Sequence, residues 1–122
     1  MAKILELSDQ IRECIGITKD CANTCTETQT YCLQLGGNHA ELNHMRMLLD
    51  CTEMCNTCSD VMMRGSDYYQ SICYTCAEIC EWTAASCDQF EDMKMGMCAD
   101  TCRQCANVCR QMSGKMGERS AA

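Results

Sequence analysis

Cysteine fills fifteen of the 122 positions: Cys14, Cys21, Cys25 and Cys32; Cys51, Cys55 and Cys58; Cys73, Cys76, Cys80 and Cys87; and Cys98, Cys102, Cys105 and Cys109. Thiolates are soft ligands that select Cu(I), with zinc and iron-sulfur clusters as competitors. Within each group every step is three, four or seven residues, which is the spacing of one face of an α-helix. At about 100° per residue the first group spans roughly 40° of arc and none exceeds roughly 60°. Four helices, each with one stripe of sulfur, must turn those stripes toward something shared.

Charge separates the candidate metals. A buried thiolate has to be neutralised. One Cu(I) per cysteine does so one for one, whereas a zinc site of four thiolates retains a charge of about −2 and needs its ligands to converge tetrahedrally. Cu(I) accepts two or three sulfurs, so i, i+4 pairs on one helix and pairs across an axis can both serve. The expectation is multiple Cu(I) ions, about one per cysteine. A zinc or cadmium buffer of metallothionein type, or an iron-sulfur or redox electron carrier, are the alternatives. The CxxxCxxC at Cys51, Cys55 and Cys58 also matches the cluster motif of radical SAM enzymes, but 122 residues are too few for their barrel. Iron-sulfur proteins usually take ligands from turns that wrap the cluster, often closed by proline, and this chain has no proline. His39 and His44 are the only histidines and sit together at one end. Nucleophilic Cys/His catalysis is therefore poorly supported, and the chain reads as a binding protein, not an enzyme.

Leu, Ile, Val and Phe total only 16 residues, and with a formal charge of −7 that composition would ordinarily suggest disorder. The helical order of the cysteines says otherwise. Fifteen Cys and eleven Met stand where branched aliphatics usually do, since a protonated thiol packs as a small hydrophobe and methionine fills irregular gaps. So many cysteines in a short chain usually mean a secreted disulfide scaffold. Here the opening residues carry Lys3, Glu6, Asp9 and Arg12 with no apolar run of signal-peptide type. No stretch is long enough to span a membrane. Same-face neighbours on a helix have Cβ atoms about 5–6 Å apart, too far for a disulfide. Reduced cysteine and a cytoplasmic location are expected. Seventeen carboxylates, Glu27, Asp50, Glu53, Asp60, Glu78, Glu81 and Asp100 among them, favour solubility and argue against nucleic acid as a partner.

The punctuation fits four helices. The first is expected to begin near Ser8 or Asp9, good N-cap types, and to stop at Gly36-Gly37. Asn38 with Glu41 reads as a variant capping box opening a second helix that runs to about Arg64. Gly65-Ser66-Asp67 separates it from a third continuing to about Phe90, and Asp92 or a neighbour caps a fourth ending near Gln111. Such short loops join antiparallel neighbours. The fold expected is all-α, an antiparallel up-down-up-down four-helix bundle with an inward-facing cysteine-lined core. It would be a single domain over residues 1–112, followed by a flexible tail over 113–122.

The run Cys98-Ala99-Asp100-Thr101-Cys102-Arg103-Gln104-Cys105-Ala106-Asn107-Val108-Cys109 resembles the CAxxCxxCAxxC segment in the last helix of the bacterial copper storage proteins. The likeness extends through the cysteines of the other three helices and covers essentially the whole chain. It implies a homotetramer of bundles that loads many Cu(I) ions onto inward cysteines, and the cytosolic branch of the family. Cytosolic relatives often carry more histidine ahead of the last helix, where this chain has Met93, Lys94 and Met95.

In an antiparallel bundle the 36–37 turn and the break near 92 share one end, and the 64–67 turn shares the other with Ser8. Extending the stripes toward the second end meets Leu7, Ile11, Val61, Met62, Tyr69 and Met112, a plug. Extending them toward the first meets His44, Met47 and Met95, soft or borderline ligands that mark a mouth and join the cysteines as candidate metal ligands. His39 is expected to be solvated and the other methionines to be core filler. Tyr68, Tyr69, Tyr74 and Trp82 lie off the sulfur stripes and are expected on a helix face that contacts another protomer.

Overall fold

The computed structural model describes residues 7–114. Four helices follow one another: α1 (Asp9–Leu35), α2 (Leu42–Met63), α3 (Tyr69–Cys87) and α4 (Met93–Met112), with a short 3-10 helix, Gly37–Ala40, between the first two. There is no strand among the described residues. The helices run antiparallel in the expected order. α1 packs on α2 and α4, and α3 packs on the same two. The backbones of the diagonal pairs stand apart, and sulfurs meet across the axis, as Cys55 Sγ and Cys105 Sγ do at 3.8 Å.

Local chemistry sets the ends. Ser8 caps α1, its hydroxyl accepting from the Ile11 amide at 3.2 Å. The helix stops where Gly36 and Gly37 take φ values of 70° and 55°, a left-handed region that side chains disfavour. The cap of α2 is Glu41 and not Asn38, which belongs to the 3-10 turn; the Glu41 carboxylate accepts from the His44 amide at 3.2 Å. α3 starts at Tyr69, later than the turn residues suggested, because Gly65 to Tyr68 close the turn with Ser66 Oγ accepting from the Tyr68 amide. It ends at Cys87, so Phe90 is free of the helix and packs at the bundle end. Asp92 does stand at the N-cap of α4, but its side chain makes no capping bond. α4 runs one residue past Gln111 to Met112. Ser113, placed in the tail from sequence, is buried, and its hydroxyl donates to the Arg110 carbonyl at 3.1 Å. The rest of the tail from 115 onward, like residues 1–6, lies outside the described residues.

Sulfur is flanked by small residues. Ala22, Ala77, Ala84, Ala99 and Ala106 are buried beside the stripes and let the helices approach. Thr18, Thr28 and Thr83 are also buried, and each hydroxyl donates to the carbonyl four residues back, at 2.9, 2.7 and 2.8 Å. No buried side-chain nitrogen or oxygen lacks a partner among the described residues. The 64–67 end is closed by Val61, Met62 and Met112, all buried, with Ile11 and Tyr69 packed against them. Tyr69 thus belongs to the plug, whereas Tyr68, Tyr74 and Trp82 are exposed at 74%, 41% and 60%.

Candidate metal centre

All fifteen cysteines are buried and none is in a disulfide. Their sulfurs form one continuous file. Nearest the 36–37 end, Cys32 Sγ lies 3.6 Å from Met95 Sδ and 3.5 Å from His44 Nε2. Cys87 and Cys98 follow, close enough to act on each other's thiol. In the middle, Cys21, Cys25, Cys51 and Cys102 hold their sulfurs within 4.8 Å of one another, as do Cys21, Cys55, Cys80 and Cys105. Toward the plug come the triads Cys76, Cys105, Cys109 and Cys58, Cys73, Cys109. Cys14 completes that end beside Cys73 and Cys109. Individual contacts run from 3.4 Å for Cys58 and Cys73 to 4.0 Å for Cys51 and Cys55.

The sets overlap. Cys21, Cys105 and Cys109 each belong to two of them, so a metal bound in one set shares a sulfur with the next. That suits bridging thiolates and a chain of ions. The buried residues include no Lys, Arg, Asp or Glu among those described. Nothing in the core can neutralise a thiolate, so positive charge must arrive with the metal. Burial, with the charges of Cys98 and Asp92 behind it, pushes the Cys32 thiol up to about 11. Cys87, in contact with Cys98 and buried, is likewise raised.

His44 is buried, and burial lowers its basicity, favouring the neutral ring. Its Nδ1 is held by Ser86 Oγ at 2.7 Å, which leaves Nε2 to face Cys32, the orientation a metal-binding histidine needs. Met95 is buried beside the same sulfur. Met47 does not join them; it is half-buried on the wall of an open cavity of about 790 Å³ between α2 and α3, with Trp82, Gln89 and Phe90. Leu48 faces the interior instead. Ser86 and His44, whose Nε2 faces Cys32, also border this cavity.

His39 is not a solvated side chain. Its Nε2 meets Asp92 Oδ1 at 3.0 Å and its ring stacks on Phe90 at 4.1 Å between centroids. The Tyr31 hydroxyl donates to the other Asp92 oxygen. Asp92 is thus recruited from helix capping to clasp α1 and the 3-10 turn to the start of α4, with Phe90 between His39 and His44. From sequence Asp92 is only a cap and Phe90 only a helix end, and Tyr31 and Ser86 carry no signal at all, because their partners lie 42 to 61 residues away.

A four-helix bundle with a reduced, overlapping thiol file and no buried counter-charge defines a class of intracore soft-metal binders. Residues 7–114 match the family described as Csp, copper storage protein. The chain belongs to the copper storage protein family. It is 30% identical over 100 residues, 82% of this chain and 93% of the relative, to an uncharacterized cysteine-rich protein, YhjQ, of Bacillus subtilis strain 168. A crystal structure of the Nmul_A1745 protein from Nitrosospira multiformis superposes with a TM-score of 0.82 at 39% identity, covering 86% of this chain and 95% of that one. The Cu(I)-bound copper storage protein BsCsp3 superposes with a TM-score of 0.81 at 28% identity, over 86% and 99% of the two chains. The apo form of Csp3 from Bacillus subtilis gives 0.77 at 29%, over 84% and 97%.

Proposed function

We propose that this protein stores Cu(I) on the cysteines of its core, at about one ion per thiolate and so on the order of 15 per chain. The observation that carries this reading is the overlapping sulfur file in a core that buries no Lys or Arg side chain among the described residues. Each arriving Cu(I) exchanges for one thiol proton, S–H giving S–Cu and a released H+, so the interior stays neutral at every stage. A zinc or cadmium buffer would accumulate negative charge in the same space. The Cu(I)-bound relative of the same fold supports the choice of metal.

Copper is taken in at the end bearing His44, Met47 and Met95. The cavity between α2 and α3 admits the ion, Met47 on its wall offers a transient thioether, and His44, Cys32 and Met95 form the first inner site. The fifteen cysteines hold the bulk of the load. The protein acts as a store and not as an enzyme, in the cytoplasm, as a homotetramer to which Tyr68, Tyr74 and Trp82 contribute exposed apolar surface. One domain, containing the described residues 7–114, carries the function. No helix among those described is long and apolar enough to cross a membrane.

Anaerobic titration of the reduced protein with Cu(I) and, separately, Zn(II) tests the reading. Saturation near 15 Cu(I), with Zn(II) displaced by added Cu(I), is expected. Saturation at three or four ions of either metal would overturn it, as would the brown colour of an iron-sulfur protein on isolation.

A further inference from the structure

The sulfur file has two ends, and the structure places a thioether at both. Met95 beside Cys32 marks one. At the other, Met62 is 1% exposed and its Sδ accepts from Cys73 Sγ at 3.8 Å. Cys73 in turn is 3.4 Å from Cys58 and belongs with Cys58 and Cys109 to a set within 4.8 Å. Met62 follows Cys58 by four residues and Cys51 by eleven, so it falls inside the arc of the α2 stripe, not on its flank. Helical side chains lean toward the N-terminus of their helix. For α2 that direction runs from the plug into the file, so the thioether is turned toward the cysteines.

An ion in the middle of the file finds thiolates on both sides along the axis. An ion held by Cys58, Cys73 and Cys109 has Cys14 as the one further thiol beside it, because the next layer is Ile11, Val61, Tyr69 and Met112. A thioether is a soft ligand for Cu(I) and carries no charge. It completes the coordination of a terminal ion without disturbing the one-to-one balance of copper and thiolate.

We propose that Met62 is a Cu(I) ligand that closes the file at the plugged end, together with Cys58, Cys73 and Cys109. The inference rests on the Cu(I) storage reading and extends it to a residue otherwise taken as core filler. Protein labelled with 13C at the methionine methyls is titrated anaerobically with Cu(I), and the Met62 resonance is assigned by its absence in Met62→Leu, a substitution that conserves volume. The Met62 resonance is expected to shift further than that of Met112, the buried methionine of the same plug. The Met62→Leu protein is expected to retain about one Cu(I) fewer against a competing chelator, or to release its most loosely held ion several-fold faster. Bound copper with a Met62 resonance that moves no further than Met112, or a Met62→Leu protein with full retention and unchanged release, overturns the assignment and leaves storage standing. Failure of the unsubstituted protein to take up copper overturns both.

Discussion

Loading this core must expel protons in a fixed ratio. The structure holds fifteen buried thiols and no buried Lys or Arg among the described residues, so at pH 7 the empty interior cannot sustain a row of thiolates. Burial pushes Cys32 up to about 11, and neutral His44, lowered by burial, supplies no compensating charge. Each Cu(I) therefore displaces one proton, about 15 per chain at saturation. The sign for pH follows directly: protons compete with copper, so each ion binds roughly tenfold more weakly per unit fall in pH, about 1.4 kcal/mol. The assay is anaerobic loading of reduced protein in weakly buffered solution with an indicator dye, copper and protons being counted together. A slope near one proton per Cu(I) throughout the titration is expected. A slope near zero would mean thiolates already formed in the empty core, and a slope near two would mean that each metal takes two thiolates; either refutes the charge argument.

The reduced apoprotein should be fully helical by circular dichroism, because protonated thiols pack as hydrophobes; a random-coil spectrum would contradict this. Replacing His44, Met47 and Met95 together with Ala should change the rate of Cu(I) uptake or of removal by a chelator several-fold, while capacity falls by no more than about one or two ions. Stopped-flow loading and endpoint copper counts check both parts. Asp92→Asn should lower the thermal midpoint of the apoprotein by loosening the clasp to Tyr31 and His39. The Asp92 carboxyl is held below its ordinary value by the Tyr31 hydroxyl and then by His39. Its stabilisation is thus present above the usual carboxylate range and lost as pH falls through the depressed value. The variant should be correspondingly less acid-sensitive between about pH 5 and 3, as followed by circular dichroism.

The cysteine stripes were legible because a helix imposes its period on whatever must face inward, and the sulfur file follows from stripes alone. The flanks were not. Met47 and Leu48 lie about 20° beyond opposite edges of the α2 stripe, and only packing decides between them: Met47 falls toward Trp82 of α3, and Leu48 is the one buried, its carbonyl near Gln29 of α1. The clasp was invisible for a different reason. Asp92 has a helix-capping type in a capping position, so local chemistry explains it without Tyr31 or His39, and nothing in the sequence couples residues 53 and 61 positions apart. Met62 was legible by angle as a residue of the stripe's end, and its position in the buried core agrees; the contact of its sulfur with Cys73 needed the packing of α3 against α2.

The central claim is that copper occupies the axis of the bundle as a chain of thiolate-bound ions. Crystals of the protein loaded anaerobically with excess Cu(I), measured on both sides of the copper absorption edge, test it most directly. The account predicts a row of anomalous peaks from the Cys32, His44 and Met95 end to the Cys58, Cys73 and Cys109 end, about as many as there are cysteines, each within bonding distance of two or more sulfurs. Three or four isolated peaks, each inside its own set of four cysteines, or peaks confined to the surface carboxylates, would contradict it.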